Sequence, residues 1–355
     1  MASSLSHGGA QRSAAALTFV FEKLGYEVCV ATVLKGVSYS FTGRLFEIHA
    51  VKSKFHPLFT RLKKLLVFRR FLEHEKFDLI IDNRARVSIF REIIVTKCLY
   101  PKSAIYLIRN YNFKNVFTSS KRVNRWLYQD RRLVAVSKKA ADKANFELGI
   151  TSVVAIPNPL PETSAPSFSS DLFSDLPKKF ILFCGRLEDK SKNIRLLLEA
   201  YQKSDLASQQ MPLVLLGSGP DEQDLKAFAK ALGIANNILW IPFVDYPFYV
   251  IKKAKFICLT SRYEGFPRAL IEALSLGTPV VSVDCESGPS EIVQHEQNGL
   301  LIRNYDPHAF AEAMNRLIFD QDLYDFCQAN AKSSVDHLSV AGIARQWQDY
   351  LNLPS

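Results

Sequence analysis

The chain has 355 residues, of which 48% are hydrophobic and 23% charged. This is globular composition, and the length exceeds that of one typical core, so two domains are expected. The sequence shows neither an apolar run of about eighteen residues nor a secretory signal pattern, so we expect a cytoplasmic protein or one on the cytoplasmic face of a membrane.

The net charge of +10 is distributed unevenly along the chain. Residues 1–160 carry 27 Lys and Arg against 11 Asp and Glu, whereas residues 161–355 carry 18 against 24. Halves of opposite charge indicate domains with different partners. A basic nucleic-acid-binding protein is one alternative, but the cations show little aromatic interleaving and no known binding module is present.

The six cysteines have no zinc or disulfide spacing and are expected to be buried thiols.

A glycine pair, Gly8 and Gly9, precedes the first helical pattern, which ends at Gly25, and residues 25–31 follow as a strand. Glycines at a helix start let backbone N–H groups approach a diphosphate. A flexible N-terminus is the alternative explanation.

A basic helix is predicted from residue 57 to about 72, where leucines alternate with cations. Two interpretations have equal weight. The helix lies on an anionic membrane surface, or it packs an apolar face on the sheet while its cations stay solvated. Its cations are Arg61, Lys63, Lys64, Arg69 and Arg70.

Strands and helices then alternate, which predicts parallel sheets. The predicted strands of the first half are residues 45–50, 78–82, 103–108, 133–137 and 152–156. Residues 160–170 are rich in Pro and Ser and read as a linker. The second half predicts strands at 180–184, 212–216, 238–244, 255–259, 280–283 and 298–302, and late helices at 307–319, 321–333 and 340–351.

The stretch 255–283 predicts a strand, a loop, a helix and a strand, with Gly265 and Pro267 in the loop. Glu264 and Glu272 flank the helix start. The loop follows the carboxyl end of a strand, where open α/β sheets bind ligands, and N–H groups at a helix start bind anions. These features predict a site for a phosphorylated, polyhydroxylated ligand. The alternative is that the carboxylates only complement the helix dipole.

Five motifs together resemble glycosyltransferase family four, whose members are retaining sugar-nucleotide enzymes. The motifs are Gly8-Gly9, Asn158-Pro159, Arg186 with Lys192, Gly217-Ser-Gly219 and Glu264-x7-Glu272. The resemblance implies an α/β protein of GT-B fold, with two Rossmann-like domains facing across a cleft. The implied domains are residues 1–160 for the acceptor and 161–337 for the nucleotide sugar, with a helix at 338–355 crossing back to the first domain.

The resemblance also implies roles for residues. Arg186, Lys192 and Glu264 are the implied catalytic residues, with Lys190 as the alternative to Lys192, and Glu272 is implied to bind the ribose. Other implied donor-binding residues are Gly8, Gly9, Gly217, Gly219, Phe243, Val244, Gly265, Phe266, Pro267, Arg268, Ala269 and Leu270. Many members place a histidine just after residue 108, where this chain has Arg109 and Asn110, which are candidates for acceptor or membrane contact.

The expected function is transfer of a hexose or N-acetylhexosamine, N-acetylglucosamine being the favoured one, from a UDP-sugar to a bacterial surface glycan. The expected acceptor is an anionic lipopolysaccharide core or a lipid-linked glycan, with no nucleic acid as partner. No metal or other cofactor is expected, because Arg and Lys would stabilise the leaving UDP. An epimerase or phosphorylase of the same fold is an alternative, but it would need its own acid and base or a PLP lysine.

The start of the chain departs from this pattern. A strand of about five or six residues normally precedes such a glycine turn, but only residues 1–5 are available, and their serines disfavour burial on both faces. Either these residues form a poor strand, or the natural chain begins upstream, which is our expectation.

Overall fold

The computed structural model describes residues 1–6, 8–50, 57–150, 152–160, 173 and 175–352. The chain forms two compact units, one of Met1–Pro161 with Val340–Ser355 and the other of Glu162–Ser339. The predicted linker, apart from its first residue, lies outside the described residues.

The strands are short apolar runs that follow one another with helices between them, as the alternating pattern predicts. In chain order they are β1 (Cys29–Thr32), β2 (Arg44–Glu47), β3 (Ile81–Asp82), β4 (Ile105–Ile108), β5 (Arg132–Ala135), β6 (Val154–Ala155), β7 (Ile181–Cys184), β8 (Leu213–Leu216), β9 (Ile238–Ile241), β10 (Ile257–Leu259), β11 (Val280–Val283) and β12 (Gly299–Ile302).

Helices follow the strands along the chain. They are α1 (Gly9–Lys23), α2 (Pro57–Glu75), α3 (Ile89–Ile93), which continues as a π-helical segment (Ile94–Leu99), α4 (Lys121–Tyr128), α5 (Lys138–Leu148), α6 (Asp189–Lys192), α7 (Ile194–Lys203), α8 (Glu222–Ala231), α9 (Phe248–Lys253), α10 (Arg268–Ser275), α11 (Pro289–Ile292), α12 (Pro307–Phe319), α13 (Gln321–Ser334) and α14 (Val340–Asn352).

The first unit contains a four-stranded parallel sheet in the order β3-β4-β5-β6 and a parallel pair, β1 and β2. Every residue of β4 is buried, as expected for the inner strand of a parallel sheet. The second predicted strand, residues 45–50, ends early, because residues 48–50 turn into a 3₁₀ helix.

The first five residues occupy the position between β1 and β3. The Met1 ammonium donates to the Ile81 carbonyl at 2.8 Å, and Ala2 N–H donates to the Ala31 carbonyl at 2.9 Å. Leu5 is fully buried, and Ser4 is only 6% exposed. The expectation that these serines would resist burial is therefore wrong for Ser4, whose hydroxyl donates to the Ser6 carbonyl.

The last helix, α14, belongs to the first unit and packs on α1. The rings of Phe21 and Trp347 meet edge to face, with centroids 5.2 Å apart, and Trp347 is 2% exposed. Arg132 donates to the Tyr350 carbonyl at 3.0 Å and its guanidinium lies over the Tyr350 ring. These contacts join α14 both to α1 and to the start of β5.

The predicted helix α2 buries less of its apolar surface than the pattern predicts. Phe68 is 6% exposed, but Leu62 and Leu66 are 53% and 49% exposed. The cations Arg61, Lys63, Arg69 and Arg70 are exposed, and Lys64 is half-buried. The interpretation in which the helix packs an apolar face on the sheet therefore fits Phe68 but not Leu62 or Leu66.

The second unit is a six-stranded parallel sheet in the order β12-β11-β10-β7-β8-β9. Its core is built by α7 and α12 on the sheet, with Leu197, Phe310 and Met314 fully buried. The prediction of two parallel-sheet α/β domains is confirmed.

The six cysteines differ in exposure. Cys258, Cys285 and Cys327 are buried, as predicted, and Cys29 and Cys184 are half-buried. Cys98 is exposed, so the prediction of a buried thiol is wrong there.

Among the helices that the structure describes, none combines the length and apolar character that crossing a bilayer requires.

Candidate functional site

The strand order of the second unit reverses at β7. From β7 the chain builds β8 and β9 on one side, and then returns to place β10 directly on the other side of β7. At such a reversal the loops after the two neighbouring strands diverge and leave a crevice at their carboxyl ends. The loop after β7 carries Arg186 and Lys192, and the loop after β10 carries Glu264.

Lys192 and Glu264 meet in this crevice. The Lys192 ammonium donates to Glu264 Oε1 at 2.6 Å, and the Ser261 hydroxyl donates to the same oxygen at 2.7 Å. The two charged side chains are 23% and 13% exposed. Thr260 also donates through its hydroxyl to the Lys192 carbonyl at 3.0 Å. The loops after β7 and β10 are therefore joined twice, once by the side-chain pair of Lys192 and Glu264 and once by the bond from Thr260 to the backbone of Lys192.

The local backbone explains why Lys192 points into the crevice. The single turn α6 ends at Lys192, and the next residue, Asn193, has a left-handed backbone with a φ of 50°. Asn193 is 4% exposed, and its side-chain oxygen accepts from Arg262 at 2.5 Å. This contact fixes the turn to the loop after β10, and asparagine tolerates such a φ better than most residues do.

Glu264 keeps the Lys192 ammonium charged. Burial acts to lower the pKa of Lys192, but the adjacent carboxylate outweighs burial, and the net pKa is raised. Lys190, the alternative in this loop, is exposed. The structure thus brings Lys192, and not Lys190, to Glu264.

Arg186 lies at the edge of this arrangement. Its side chain is 66% exposed, and its Nη2 lies 3.7 Å from Glu188 Oε1. Arg186 is therefore available to solvent, in contrast to the more enclosed Lys192.

The second glutamate, Glu272, is held by an arginine one turn earlier on α10. Arg268 Nε donates to Glu272 Oε1 at 3.1 Å, and Arg268 Nη2 lies 2.9 Å from the same oxygen. Both side chains are less than a tenth exposed. The sequence reasoning named Arg268 only as part of the donor-binding loop and missed this pair, although its i,i+4 spacing was a readable signal.

The loop before α10 is packed by the next loop of the sheet. Ser287 donates through its hydroxyl to the Gly265 carbonyl at 3.0 Å. Phe266 and Pro267 are buried, and Pro267 immediately precedes α10 rather than starting it. Ala269 and Leu270 form the first turn of α10.

Two glycines bring the loops after β7 and β8 together. A Cβ added to Gly217 would lie 1.8 Å from the Gly185 carbonyl oxygen, and one added to Gly219 would lie 2.2 Å from that of Leu187. The intervening Ser218 hydroxyl accepts from Phe243 N–H at 3.1 Å. Glycine is therefore required sterically, and the turn holds residues 243 and 244 beside it, with Phe243 40% exposed and Val244 half-buried.

The first unit has a pocket of about 200 Å³, whose lining includes several polar side chains. Gly9 begins α1, and Gly8, with a φ of 121°, donates through its N–H to the Tyr39 hydroxyl at 3.1 Å. The next residues, Ala10 and Gln11, line the pocket. Other lining residues are Ser3, Ser4, Asn83, Arg84, Ala85, Leu107, Arg109, Asn110, Asn115 and Val116.

Arg109 is one of the residues that line this pocket. Its guanidinium donates to the side-chain oxygens of Asn83 and Asn158. The motif residue Asn158 therefore anchors the arginine that stands where the resemblance would place a histidine. Asn110 accepts from Asn112 N–H at 2.8 Å. The five predicted cations of α2 are not among the residues that line the pocket.

Arg84, which also lines the pocket, is the centre of a buried ionic group. Arg84 Nη2 lies 2.6 Å from Asp82 and 3.3 Å from Glu92, and all three side chains are 5% exposed or less. Although burial opposes ionisation of Asp82, Arg84 and Arg86 lower its pKa. Sequence reasoning missed this group, because helix and strand patterns do not show which charges meet in a core.

Within the described ranges, the structure shows no group of three or more His, Cys, Asp or Glu side chains placed to hold a metal ion. That the reaction needs no metal stays a prediction.

Residues 166–334 match the family described as Glycosyl transferases group 1. The matched stretch lies within the second unit and contains both Lys192 and Glu264. The chain is also similar to lipopolysaccharide 1,6-galactosyltransferase of Escherichia coli, with 34% identity over 39% of each chain. It is 32% identical to N-acetylgalactosamine-N,N'-diacetylbacillosaminyl-diphospho-undecaprenol 4-alpha-N-acetylgalactosaminyltransferase of Campylobacter jejuni, over 50% of this chain and 47% of that protein.

The whole fold also has solved relatives. The chain resembles Anabaena Alr3699/HepE in complex with UDP-glucose, with a TM-score of 0.77 over 98% of this chain and 96% of that one. At 19% identity this likeness shows the fold, which is GT-B. The matches support a glycosyltransferase, and they give no support to the nucleic-acid-binding or epimerase alternatives.

Proposed function

We propose that the chain is a retaining, UDP-sugar-dependent glycosyltransferase that adds a hexose or N-acetylhexosamine to a lipopolysaccharide core or a lipid-linked glycan. The observation that carries this proposal is the pair Lys192 and Glu264, joined at 2.6 Å at the reversal of the strand order. A cation and a carboxylate at this position match the two needs of the reaction, which are a partner for phosphate and an acceptor for sugar hydroxyls.

The leaving diphosphate is stabilised by positive charge in the second unit. As the bond between the sugar and UDP breaks, negative charge develops on the β-phosphate, and groups already in place stabilise it without reorganisation. In the proposed arrangement Lys192 and Arg186 supply cations, and the start of α10 supplies the positive end of a helix dipole. Glu264 keeps Lys192 charged until the diphosphate arrives.

The two glutamates have separate tasks in this proposal. Glu264 accepts hydrogen bonds from hydroxyls of the donor sugar, and Glu272 accepts them from the ribose. Arg268 orients Glu272 through the ion pair at 2.9 Å. No metal takes part, because the cations of the site stabilise the phosphates. Binding of UDP-glucose by the Anabaena relative supports the choice of donor class.

The acceptor binds in the first unit. Residues 1–160 carry an excess of sixteen cations, and the pocket of the first unit is lined by Arg109 and several side-chain amides. Such a pocket fits a phosphorylated or polyhydroxylated glycan. The names of the two sequence relatives, one a lipopolysaccharide transferase and one a diphospho-undecaprenol transferase, favour a lipopolysaccharide or a lipid-linked glycan as the acceptor.

The test is a donor scan with UDP-glucose, UDP-galactose, UDP-N-acetylglucosamine and UDP-N-acetylgalactosamine. Each donor is offered with lipopolysaccharide-core and undecaprenyl-diphosphate acceptors, and UDP release is measured. We expect release with one of these donors only when an acceptor is present, and an axial product linkage in the proton NMR spectrum. Binding of generic DNA without binding of UDP, or UDP release that is independent of every acceptor, would contradict the proposal.

A further inference from the structure

The first unit exposes large apolar side chains on α3 and the π-helical segment that continues it. Phe90 is 82% exposed, Ile94 is 37% exposed, and Val87, just before the helix, is 49% exposed. Phe90 and Ile94 are one turn apart and therefore lie on the same face. Single exposed apolar residues are common, but a contiguous group of them marks an interaction surface.

A tryptophan of the neighbouring helix α4 extends this face. Trp126 is 48% exposed. Lys97, one turn beyond Ile94, donates through its ammonium to the Trp126 carbonyl at 3.0 Å and lies 4.7 Å from the centre of the Trp126 ring. This contact joins the exposed faces of the two helices. We call this surface the α3–α4 patch, which consists of Val87, Phe90, Ile94, Lys97, Arg122 and Trp126.

The charged residues of the patch, Lys97 and Arg122, are cations, and the exposed carboxylate of Asp130 lies just beyond the end of α4. Arg122 is exposed and lies one turn before Trp126 on α4, so the two side chains share a face, and Arg125 is exposed beside them. The acidic residue of α3, Glu92, does not reach this surface, because it is fully buried and pairs with Arg84 and Arg91.

We propose that the α3–α4 patch docks on the surface of an anionic lipid bilayer. Phe90 and Trp126 enter the boundary between headgroups and acyl chains, where an aromatic ring with a polar edge is favoured. Lys97 and Arg122 remain at the level of the lipid phosphates, which attract them electrostatically. An apolar centre with a cationic rim is the combination that binds such membranes peripherally.

This assignment differs from one based on the count of cations in α2. Helix α2 carries more cations, but its surface is mixed, because Arg69 pairs with Glu73 at 2.8 Å and Glu75 pairs with Arg44 at 2.7 Å. Among the side chains of α2 that the structure describes, from residue 60 onward, the exposed large apolar ones are leucines. The α3–α4 patch offers both aromatic rings and a rim without exposed carboxylates from α3.

The experiment is vesicle flotation of the full chain, with vesicles of neutral phosphatidylcholine and with vesicles that also contain phosphatidylglycerol. We expect binding to the anionic vesicles only, weakening as salt is added. Phe90→Ser combined with Trp126→Ser should lower binding at least about tenfold. Lys97→Gln combined with Arg122→Gln should lower it by about thirtyfold and reduce its dependence on salt.

The matched control is Phe326→Ser. Phe326 is 54% exposed on α13, in the second unit, with Asp322 and Asp325 on the same helix. The Phe326→Ser variant should bind vesicles as the wild type does. Thermal unfolding and UDP binding of each variant separate loss of the surface from loss of the fold.

The proposal is overturned if the wild type does not bind anionic vesicles, or if the patch variants bind like the wild type. It is also overturned if replacing the five cations of α2 abolishes binding while the patch variants retain it. Because the readout is lipid binding, these outcomes are independent of whether the donor scan identifies a glycosyltransferase activity.

Discussion

Arg268 and Glu272 form an ion pair one turn apart at the start of α10, 2.9 Å from nitrogen to oxygen and almost wholly enclosed. A carboxylate that must accept hydrogen bonds from a ribose is useful only if it is held in one orientation. The pair fixes that orientation before the ligand binds. The Glu272 side chain therefore loses its conformational entropy during folding and not when UDP binds.

We therefore expect Arg268→Ala to weaken UDP binding and to lower the free energy of unfolding by about 3 kcal/mol, because a buried carboxylate loses its partner. Calorimetry and urea unfolding measure the two effects. The control is Lys226→Ala on α8, which breaks an i,i+4 pair of similar length but greater exposure and should cost about 0.5 kcal/mol or less. Equal effects of the two variants would rule out a special role for Arg268.

Glu272→Ala removes the other partner of the same pair. In the proposed role its carboxylate binds the ribose, and a hydrogen bond to a charged group contributes about 1.5–3 kcal/mol. We expect weaker binding of UDP, and a smaller loss for a phosphate ligand that lacks the ribose, such as inorganic diphosphate. A folded Glu272→Ala variant with unchanged UDP affinity would remove the ribose assignment.

Lys192→Ala should lower turnover by about a hundredfold or more, because the group that stabilises the leaving phosphate is lost. Lys190→Ala is the matched control, since this lysine lies two residues away in the same loop but is exposed. Acceptor-dependent UDP release measures both. If Lys190→Ala were the inactive variant, the assignment of the loop would be wrong.

The raised pKa of Lys192 gives a test with pH. Because the folded pKa lies above the ordinary value of 10.5, the contribution of this charge to folding is complete below that value and is lost only as the pH rises through the folded pKa. In Glu264→Gln burial is no longer opposed by the carboxylate, so the pKa of Lys192 should fall. UDP affinity should then decline at a lower pH than in the wild type.

The double variant Glu264→Gln with Lys192→Arg should remove this decline, because arginine stays protonated at all accessible pH values. Calorimetric titration with UDP between neutral and alkaline pH checks both variants. Identical pH profiles for the wild type and Glu264→Gln would show that Glu264 does not control this charge.

Treatment with EDTA should leave acceptor-dependent UDP release unchanged, because the proposed stabilisation of the phosphates comes from protein cations. Addition of magnesium or manganese should not raise the rate. Loss of activity in EDTA that either metal restores would contradict this mechanism.

The sequence predicted order and type of the elements better than their ends. Strand β11 and helix α12 have the predicted bounds. Helix α12 begins at Pro307, because the side chain of Asp306 accepts from His308 N–H and caps the helix there. The strand predicted at 238–244 stops at Ile241, because the next apolar residues turn away toward Ser218. An apolar run in the sequence therefore predicts too long a strand where the residues after the strand form a loop that packs on a neighbouring turn.

The contacts within the candidate site could also be predicted only in part from the sequence. Lys192 and Glu264 are 72 residues apart, and no periodicity links them; their contact depends on β7 and β10 being neighbours, which the family motifs implied. The exposure of Phe90 and Trp126 was not predicted either, because a sequence pattern shows which face of a helix is apolar but not whether anything covers it.

The packing of α14 on α1 sets an order for synthesis. Ribosomes deliver the chain from its first residue, and domains generally fold as units when all their residues have emerged. The second unit is continuous, so its core needs no residue of α14. The first unit is complete only when α14 has emerged, and until then α1 exposes the apolar surface around Phe21 that Trp347 later covers. Released chains that end before residue 340 should therefore be protease-resistant in the second unit and recruit chaperones through the first.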